Sequence, residues 1–333
     1  MLQTRVYGQD RIAFMESITV ADVHGFEDNS GSLTLFTNDQ GGIIDDLIVS
    51  KTNLGYLYVV SNAGCRDKDI PLMKSTAENF KANGKDIHLE FLEDHALVAL
   101  QGPESASVLE SVSKVDMSSL TFMKSVVANI AGIDHCRITR CGYTGEDGIE
   151  ISIPEKHATT VVEALLESKA GNVKLAGLGA RDSLRLEVGL CLYGNDIDEK
   201  TTPIEAGLAW TIPKRRREAK DFPGAEIILN QLKNKPSRKR VGLVSNAGPP
   251  ARQHCKILGD GHDEIPRVKP IGEVTSGCPS TTLGKGINVA IGYVPLAQAK
   301  NGTKVQIQVL NKLVDAQVTK MPFVPTNYYF GTK

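Results

Sequence analysis

Apolar positions along the chain change period several times, and each change predicts an element. Residues 2–7 and 32–38 read as strands, whereas Ile12, Met15 and Ile18 recur at helical spacing within 9–18. Gly41-Gly42 punctuates the chain before IIDDLIVS (43–50), which reads as a strand. Residues 55–61 read as another, so these two make a hairpin. A helix over 64–82 places Leu72, Met73, Ala77 and Phe80 on one side. Strands near 87–92 and 95–101 follow, then a helix opened by Gly102-Pro103, where the missing proline N–H costs nothing. Strands near 123–130, 135–140 and 148–153 come next, then helices near 156–168 and 177–188. This traffic is the split βαβ pattern of ferredoxin-like folds, and no short internal repeat accompanies it. After about residue 235 the helical period fades. Short strands (VGLVS, HCKIL, IGEVTS, NVAIGYV, KVQIQVL, AQVTKM) alternate with GPP, GDG, NG and NK turns, which predicts a small all-β barrel or sandwich.

Composition narrows the function classes. A chain of 333 residues has room for two or three domains and a sizeable core. Lysine plus arginine total 38 against 39 acids, so the whole-protein charge argues for neither nucleic acid nor an anionic membrane as partner. No apolar run approaches the ~18–20 residues of a membrane span, and the first ten residues have the character of neither a signal nor a transit peptide. Six scattered cysteines without a CxxC pair fit a reduced compartment. His135, Cys136 and Cys141 lack a second ligand pair, so no metal is expected. GCPSTTLGK (277–285) has six residues between its glycines where a phosphate loop has four. AGLGARD (176–182) lacks the third glycine of a dinucleotide fingerprint, and no GxSxG elbow occurs. The 31 glycines imply many turns, or places where backbone approaches a ligand.

Four segments carry candidate chemistry. In the strand 43–50, Ile44, Asp46 and Ile48 share one face while Ile43, Asp45, Leu47 and Val49 share the other, so each face holds one carboxylate among aliphatics. Such an acid is costly unless hydrogen-bonded, paired or used. The alternative is an edge strand whose acids reach solvent, and the pattern does not separate Asp45 from Asp46. In GYTGEDGIEISIP (142–154), Glu150 and Ser152 oppose Ile149, Ile151 and Ile153, beside a turn holding Tyr143. A carboxylate there can accept two parallel N–H bonds from a guanidine-like ring edge, or simply face water. Arg181 and Arg185 lie one turn apart in GARDSLRLEVG; they suit a substrate carboxylate or a structural network with Asp182. The run Lys214-Arg215-Arg216-Arg217 reads as a solvated loop, or as a dock for an acidic partner.

Together the segments FTNDQGGIIDDLIV (36–49), YVVSNAGC (58–65), ALQGP (99–103), RCGYTGEDGIEISIP (140–154), LGARDSLRLEVGLCLYGNDID (178–198), TPIEAGLAW (202–210), VTSGCPS (274–280) and MPFVPTNYY (321–329) carry a resemblance. The chain resembles aminomethyltransferase, the T-protein of the glycine cleavage system, most closely its animal mitochondrial form, over essentially its whole length. The resemblance implies an α+β chain of two ferredoxin-like units and a C-terminal β-barrel, arranged as a clover-leaf around a folate pocket, with units expected at 1–89, 90–235 and 236–333. It assigns the catalytic role to Asp46. It places Asn62, Glu150, Arg181 and Tyr328 in the folate pocket, adds Tyr143 and Trp210 to its lining, and sets Arg240 near the folate tail. It implies tetrahydrofolate as co-substrate, no metal, lipoylated H-protein as partner, a monomer, and a mitochondrial matrix location. The KGCYxGQE signature of iron–sulfur-assembly relatives is absent; the corresponding stretch reads VGLCLYGNDID. Family members carry about fifty mature residues before the point matching Met1. The resemblance therefore also implies an incomplete first unit, with an unpaired sheet edge, lowered stability and weaker folate binding. Thermal melting with and without tetrahydrofolate checks that expectation; a high-melting, ligand-stabilised monomer would contradict it.

Overall fold

The computed structural model describes residues 1–260 and 269–331, so Gly261 of the GDG turn and His262 lie outside the described residues. The first sheet is built from β1 (Leu2–Tyr7), β2 (Ser30–Thr37), β3 (Ile43–Lys51), β4 (Leu57–Ser61) and β5 (His88–Phe91), with helices α1 (Arg11–Ile18) and α2 (Arg66–Ala82). Its order is β2-β3-β4-β1-β5. Both β4 and β5 run antiparallel to β1, so they are parallel to each other, and α2 joins them across it. That is a split βαβ unit. The second sheet contains β6 (His95–Gln101), β7 (Ser125–Ile130), β8 (Ile133–Thr139) and β9 (Gly148–Pro154), with α3 (Ser105–Val112) and α4 (Ala158–Glu167). Its order is β6-β9-β8-β7, with β6 and β7 at the edges and no split unit among the described residues. Each sheet is a strand, a helix and a three-stranded meander, with the first strand lying against the meander's last. The topology repeats although the sequence does not.

Alternation along the strands sorts the two faces of each sheet. Leu2, Val6, Leu47, Val49, Leu57 and Val59 bury against Phe14, Met15, Met73 and Ala77 of α1 and α2. Ile138, Ile149, Ile151 and Ile153 bury against Val108, Leu109, Val161 and Leu165 of α3 and α4. Each such side chain contributes roughly 1.5–3 kcal/mol by leaving water. The other two faces meet each other: Ile48, Ser50, Tyr58 and Val60 of the first sheet oppose Arg137, Thr139, Glu150 and Ser152 of the second. Helices therefore lie outside and a polar seam lies between the sheets.

The chain then returns to the first sheet. Cys191, Ile197, Ala206, Leu208, Ile212, Phe222 and Ile228 share one buried cluster with Val20, Leu35 and Ile43. This segment carries α6 (Lys214–Ala219) and α7 (Ala225–Asn234), neither of which the apolar pattern revealed. The run at 214–217 is accordingly not a solvated loop. Arg215 pairs with Glu16 and Asp22, Arg216 is buried against Glu16 and Asp221, and Arg217 donates to the carbonyls of Ile212 and Ala209. Only Lys214 is left fully in water, so the basic run is a brace within the chain, because tertiary acids outweigh its local preference for solvent. Gly42 makes the return tight: a Cβ there would sit 1.8 Å from the Glu199 carbonyl oxygen.

Strands β10 (Arg238–Ser245), β11 (Lys256–Gly259), β12 (Gly272–Pro279), β13 (Asn288–Pro295), β14 (Lys304–Val309) and β15 (Lys312–Thr319) close into a barrel of order β10-β13-β12-β11-β14-β15. Helix α5 (Leu178–Glu187) leans on it through Leu186 against Cys278, Val289 and Ile291. The joint is locked by one buried ion pair. Arg185 Nη1 donates to Asp196 Oδ2 (2.6 Å) and to the Leu190 carbonyl (3.0 Å), and Nη2 donates to Ser276 Oγ (2.9 Å). Thr275 Oγ1 donates to Asp196 Oδ1 (2.5 Å), and Tyr293 Oη donates to the Asp196 carbonyl (2.7 Å). Removing one partner strands the other charge in the interior. Arg185→Met is expected to destabilise the chain by ~3–5 kcal/mol, measured as a lowered urea midpoint at pH 7; a loss under about 1 kcal/mol would contradict this bracing role.

Candidate active site

Strand β3 lies between β2 and β4, not at a sheet edge, so neither acid reaches solvent along an open edge. Asp45 points to the helix side and is fully buried; Asp46, on the opposite face with Ile48, is half-buried in the seam. One residue holds both. The Asn62 side-chain amide donates to Asp45 Oδ1 (2.9 Å), Asp46 Oδ1 (3.0 Å) and the Asp46 carbonyl (3.0 Å), and the Asn62 backbone N–H donates to Asp45 Oδ2 (3.0 Å). Asn62 can do so because β4 ends at Ser61 and the chain turns there into the short 3-10 turn Ala63–Cys65. Loss of hydration, then the neighbouring Asp45 charge, raise the Asp46 pKa to about 7, against the opposing pull of Asn62. Behind them Asp69, in the first turn of α2, is fully buried, and burial together with Asp45 pushes it to about 8. Asp46 is thus a carboxyl poised to hold or release a proton near neutrality.

Glu150 faces the same seam from β9. It lines a small recess with Ile48, Ser50, Tyr58, Val60 and Cys141, and burial raises its pKa against the opposing effects of the Cys141 thiol and the Arg181 charge. Tyr143 follows β8 in a turn that depends on Gly145: φ is +78° there, and a Cβ would lie 2.2 Å from Val188 Cγ1. The Tyr143 hydroxyl donates to the Cys191 carbonyl, and the Arg181 guanidinium lies 5.1 Å from its ring centroid. Burial is the main cause that raises the pKa of both Tyr143 and Cys191, and Asp46 adds to each, which puts all three within electrostatic range. The two arginines of α5 therefore divide the two roles that their spacing allowed. Arg185 is structural, while Arg181 is exposed above Tyr143 and forms no ion pair among the described residues.

The remaining expected residues are more dispersed. Tyr328 stacks on Phe122 at 4.2 Å between ring centroids, and burial with the nearby Cys141 raises its pKa. The tail carrying it is fixed by Asn327, whose N–H donates to the Gly145 carbonyl (2.8 Å). Arg240 is committed to backbone, donating from Nε to the Ala206 carbonyl (2.7 Å) and from Nη1 to that of Gly189 (3.0 Å). Trp210 is 60% exposed and lines none of the recesses described for the seam. Asp69 and Asp196 carry no signal in the sequence pattern, and Cys141 drew notice there only as a metal ligand without a complete set. Each enters the site only where separate segments meet, and the first turn of α2, Arg66-Asp67-Lys68-Asp69, is charged throughout, so nothing local marks Asp69.

Two α+β sheets joined to a closed barrel, with a carboxyl of pKa about 7 in the seam, define a folded class that comparison makes specific. Residues 1–216 match the family described as the GCVT N-terminal domain and residues 238–325 match the glycine cleavage T-protein C-terminal barrel domain, so the chain belongs to the glycine cleavage T-protein family. Within it, the mitochondrial aminomethyltransferase of Gallus gallus is 55% identical over 331 residues, covering 99% of this chain and 81% of that protein. The Pisum sativum mitochondrial aminomethyltransferase is 49% identical over 322 residues, covering 97% and 76%. The crystal structure of the glycine cleavage system aminomethyltransferase T from Bartonella henselae superposes with a TM-score of 0.88 at 35% identity, covering 98% of this chain and 85% of that one. The animal-type resemblance and the α+β fold with its barrel stand on these matches.

The Asp46 environment generates a pH prediction. Its folded pKa, about 7, lies above the ordinary 3.8, so the folded form binds the proton more tightly. The stability this contributes is complete below about pH 4 and is lost as pH rises through about 7. Asp46→Asn removes that loss. Urea midpoints measured from pH 4 to 8 should show the variant gaining on the wild type as pH rises, and parallel curves would refute the assignment.

Proposed function

We propose that the chain is an aminomethyltransferase of glycine cleavage, moving the methylene unit of an aminomethyl group on the lipoyl arm of H-protein to tetrahydrofolate. Ammonia and the dihydrolipoyl thiol of H-protein are released, each taking one of the two N–H protons that tetrahydrofolate gives up, and 5,10-methylenetetrahydrofolate is formed. The observation that carries this reading is Asp46: a half-buried carboxyl fixed by Asn62, with a pKa of about 7, in the same seam as Glu150. Tetrahydrofolate supplies the two nitrogens that take up the one-carbon unit. Glu150, half-buried with Cys141 beside it, fits an amino-pyrimidine edge that donates two parallel N–H bonds. Arg181 and Tyr143 stack at the rim, suited to a carboxylate and a flat ring, and Tyr328 closes the side nearest Cys141. Asn62 keeps the Asp46 oxygen aimed, and Asp46 takes a proton from the accepting amine and returns it to the departing one. Much of the rate gain in such a transfer comes from holding the partners in place, worth ~7–11 kcal/mol in favourable cases. Trp210 and Arg240 belong to this reading as outer contacts to the longer ligand. The mitochondrial names of the relatives support a mitochondrial location, and membership of the glycine cleavage T-protein family supports H-protein as partner.

The test supplies aminomethylated H-protein and tetrahydrofolate to the full chain and measures ammonia and methylenetetrahydrofolate. Turnover is expected; folate binding without product would show a non-catalytic binding module instead. Asp46→Asn should lower kcat by roughly 10²–10⁴-fold. Glu150→Gln should raise the KM for tetrahydrofolate by about ten- to hundredfold, with kcat changed far less. A Glu150→Gln enzyme with an unaltered KM would remove Glu150 from the pterin site.

A further inference from the structure

The seam holds a second cavity, of about 250 Å³, that the transfer chemistry does not use. Its floor is Arg137 of β8, only 5% exposed. Nη1 of Arg137 donates to Ser125 Oγ (3.1 Å) and Nη2 to Tyr56 Oη (2.7 Å), and the guanidinium lies 5.0 Å from the Tyr58 ring centroid and 5.5 Å from that of Tyr56. These partners are hydroxyls and rings; Arg137 forms no ion pair among the described residues. A cation enclosed without a counter-charge is costly, and the cost disappears when an anion arrives. Arg5, His95, His135 and Ser152 also line the cavity. Arg5 reaches Glu90 with Nη1 (3.3 Å), but its Nε is buried with no acceptor. Of the two guanidiniums only Arg5 has a carboxylate partner, and one buried N–H is left without an acceptor.

We propose that this cavity binds a small oxyanion, a phosphate or a carboxylate group, held between Arg137 and Arg5 with the tyrosine rings excluding water. Guanidinium forks suit planar or tetrahedral oxyanions, and the volume is several times the ~30 Å³ share of one water, enough for an anion of phosphate or amino-acid size. The position also links it to the candidate active site. Arg137 stands opposite Ser152, and Thr139 opposite Glu150, so Arg137 is the diagonal neighbour of Glu150 across β8 and β9. Tyr58, Arg137 and Ser152 wall both this cavity and the recess in front of Glu150. An anion bound here shares its wall with whatever Glu150 holds.

The experiment uses the full chain without folate or H-protein, so its result is independent of the transferase assignment. Binding is followed by calorimetry and thermal melting with inorganic phosphate in one arm and glutamate in the other, against chloride at matched ionic strength. A saturable heat and a saturable rise in melting temperature with either anion, absent in chloride, are expected. Phosphate alone would identify a tetrahedral ligand, and glutamate alone a carboxylate; both outcomes support the site. Arg137→Met should weaken binding roughly tenfold or more. Because Arg137 also braces the two sheets, Arg5→Met is measured beside it; half-buried Arg5 is the safer substitution for folding, and its loss should weaken binding severalfold. No saturable binding by the wild type, or unchanged affinity in both variants, overturns the proposal.

Discussion

Two consecutive aspartates on one strand cannot share a face, and the first half of this molecule is arranged around that fact. Strand geometry sends Asp45 into the helix-side core and Asp46 into the seam between the sheets. A bare carboxylate at Asp45 would be untenable, so the chain brings Asn62 back from the adjacent strand to satisfy it. The same amide then holds Asp46. The anion needed to fix Asn62 also helps raise the pKa of Asp46, second only to the loss of hydration. Core stability and site chemistry therefore rest on one side chain, and neither can be altered alone.

A second constraint is the polarity of the seam. Sheets usually pack through apolar side chains, yet here Ser50, Tyr58, Arg137, Thr139, Glu150 and Ser152 line the contact. Such an interface cannot supply the adhesion of a dry core. The Arg185–Asp196 lock and the returning segment 191–228 hold the parts together from outside it. Adhesion at the periphery leaves the middle free for ligand chemistry.

Much of this was legible in the sequence because it depends on local periodicity. Alternation located β3 and β9, set Asp45 and Asp46 on different faces and put Glu150 opposite the isoleucine row of its strand, and turn residues marked the barrel strands. What pattern could not supply was partnership. Asp45 and Asp46 look equivalent until Asn62 arrives from β4 and Asp69 from α2. Arg181 and Arg185 look interchangeable until Asp196 takes one of them. The basic run 214–217 reads as surface because the acids that absorb it, Glu16 and Asp22, lie about two hundred residues away. Helix α7 escapes the pattern for a related reason, because Ala225 and Ile228 answer to a sheet built much earlier in the chain, while α6, KRRREA, has almost no apolar residue to show a period.

That distant return has a consequence for how the chain is made. Leu35 and Ile43 leave the ribosome long before Cys191, Phe222 and Ile228, the residues that cover them. At ordinary elongation rates the interval is on the order of ten seconds. The nascent first sheet therefore spends that time with the apolar patch around Leu35 and Ile43 uncovered. It is a natural client for chaperones that shield apolar surface during synthesis.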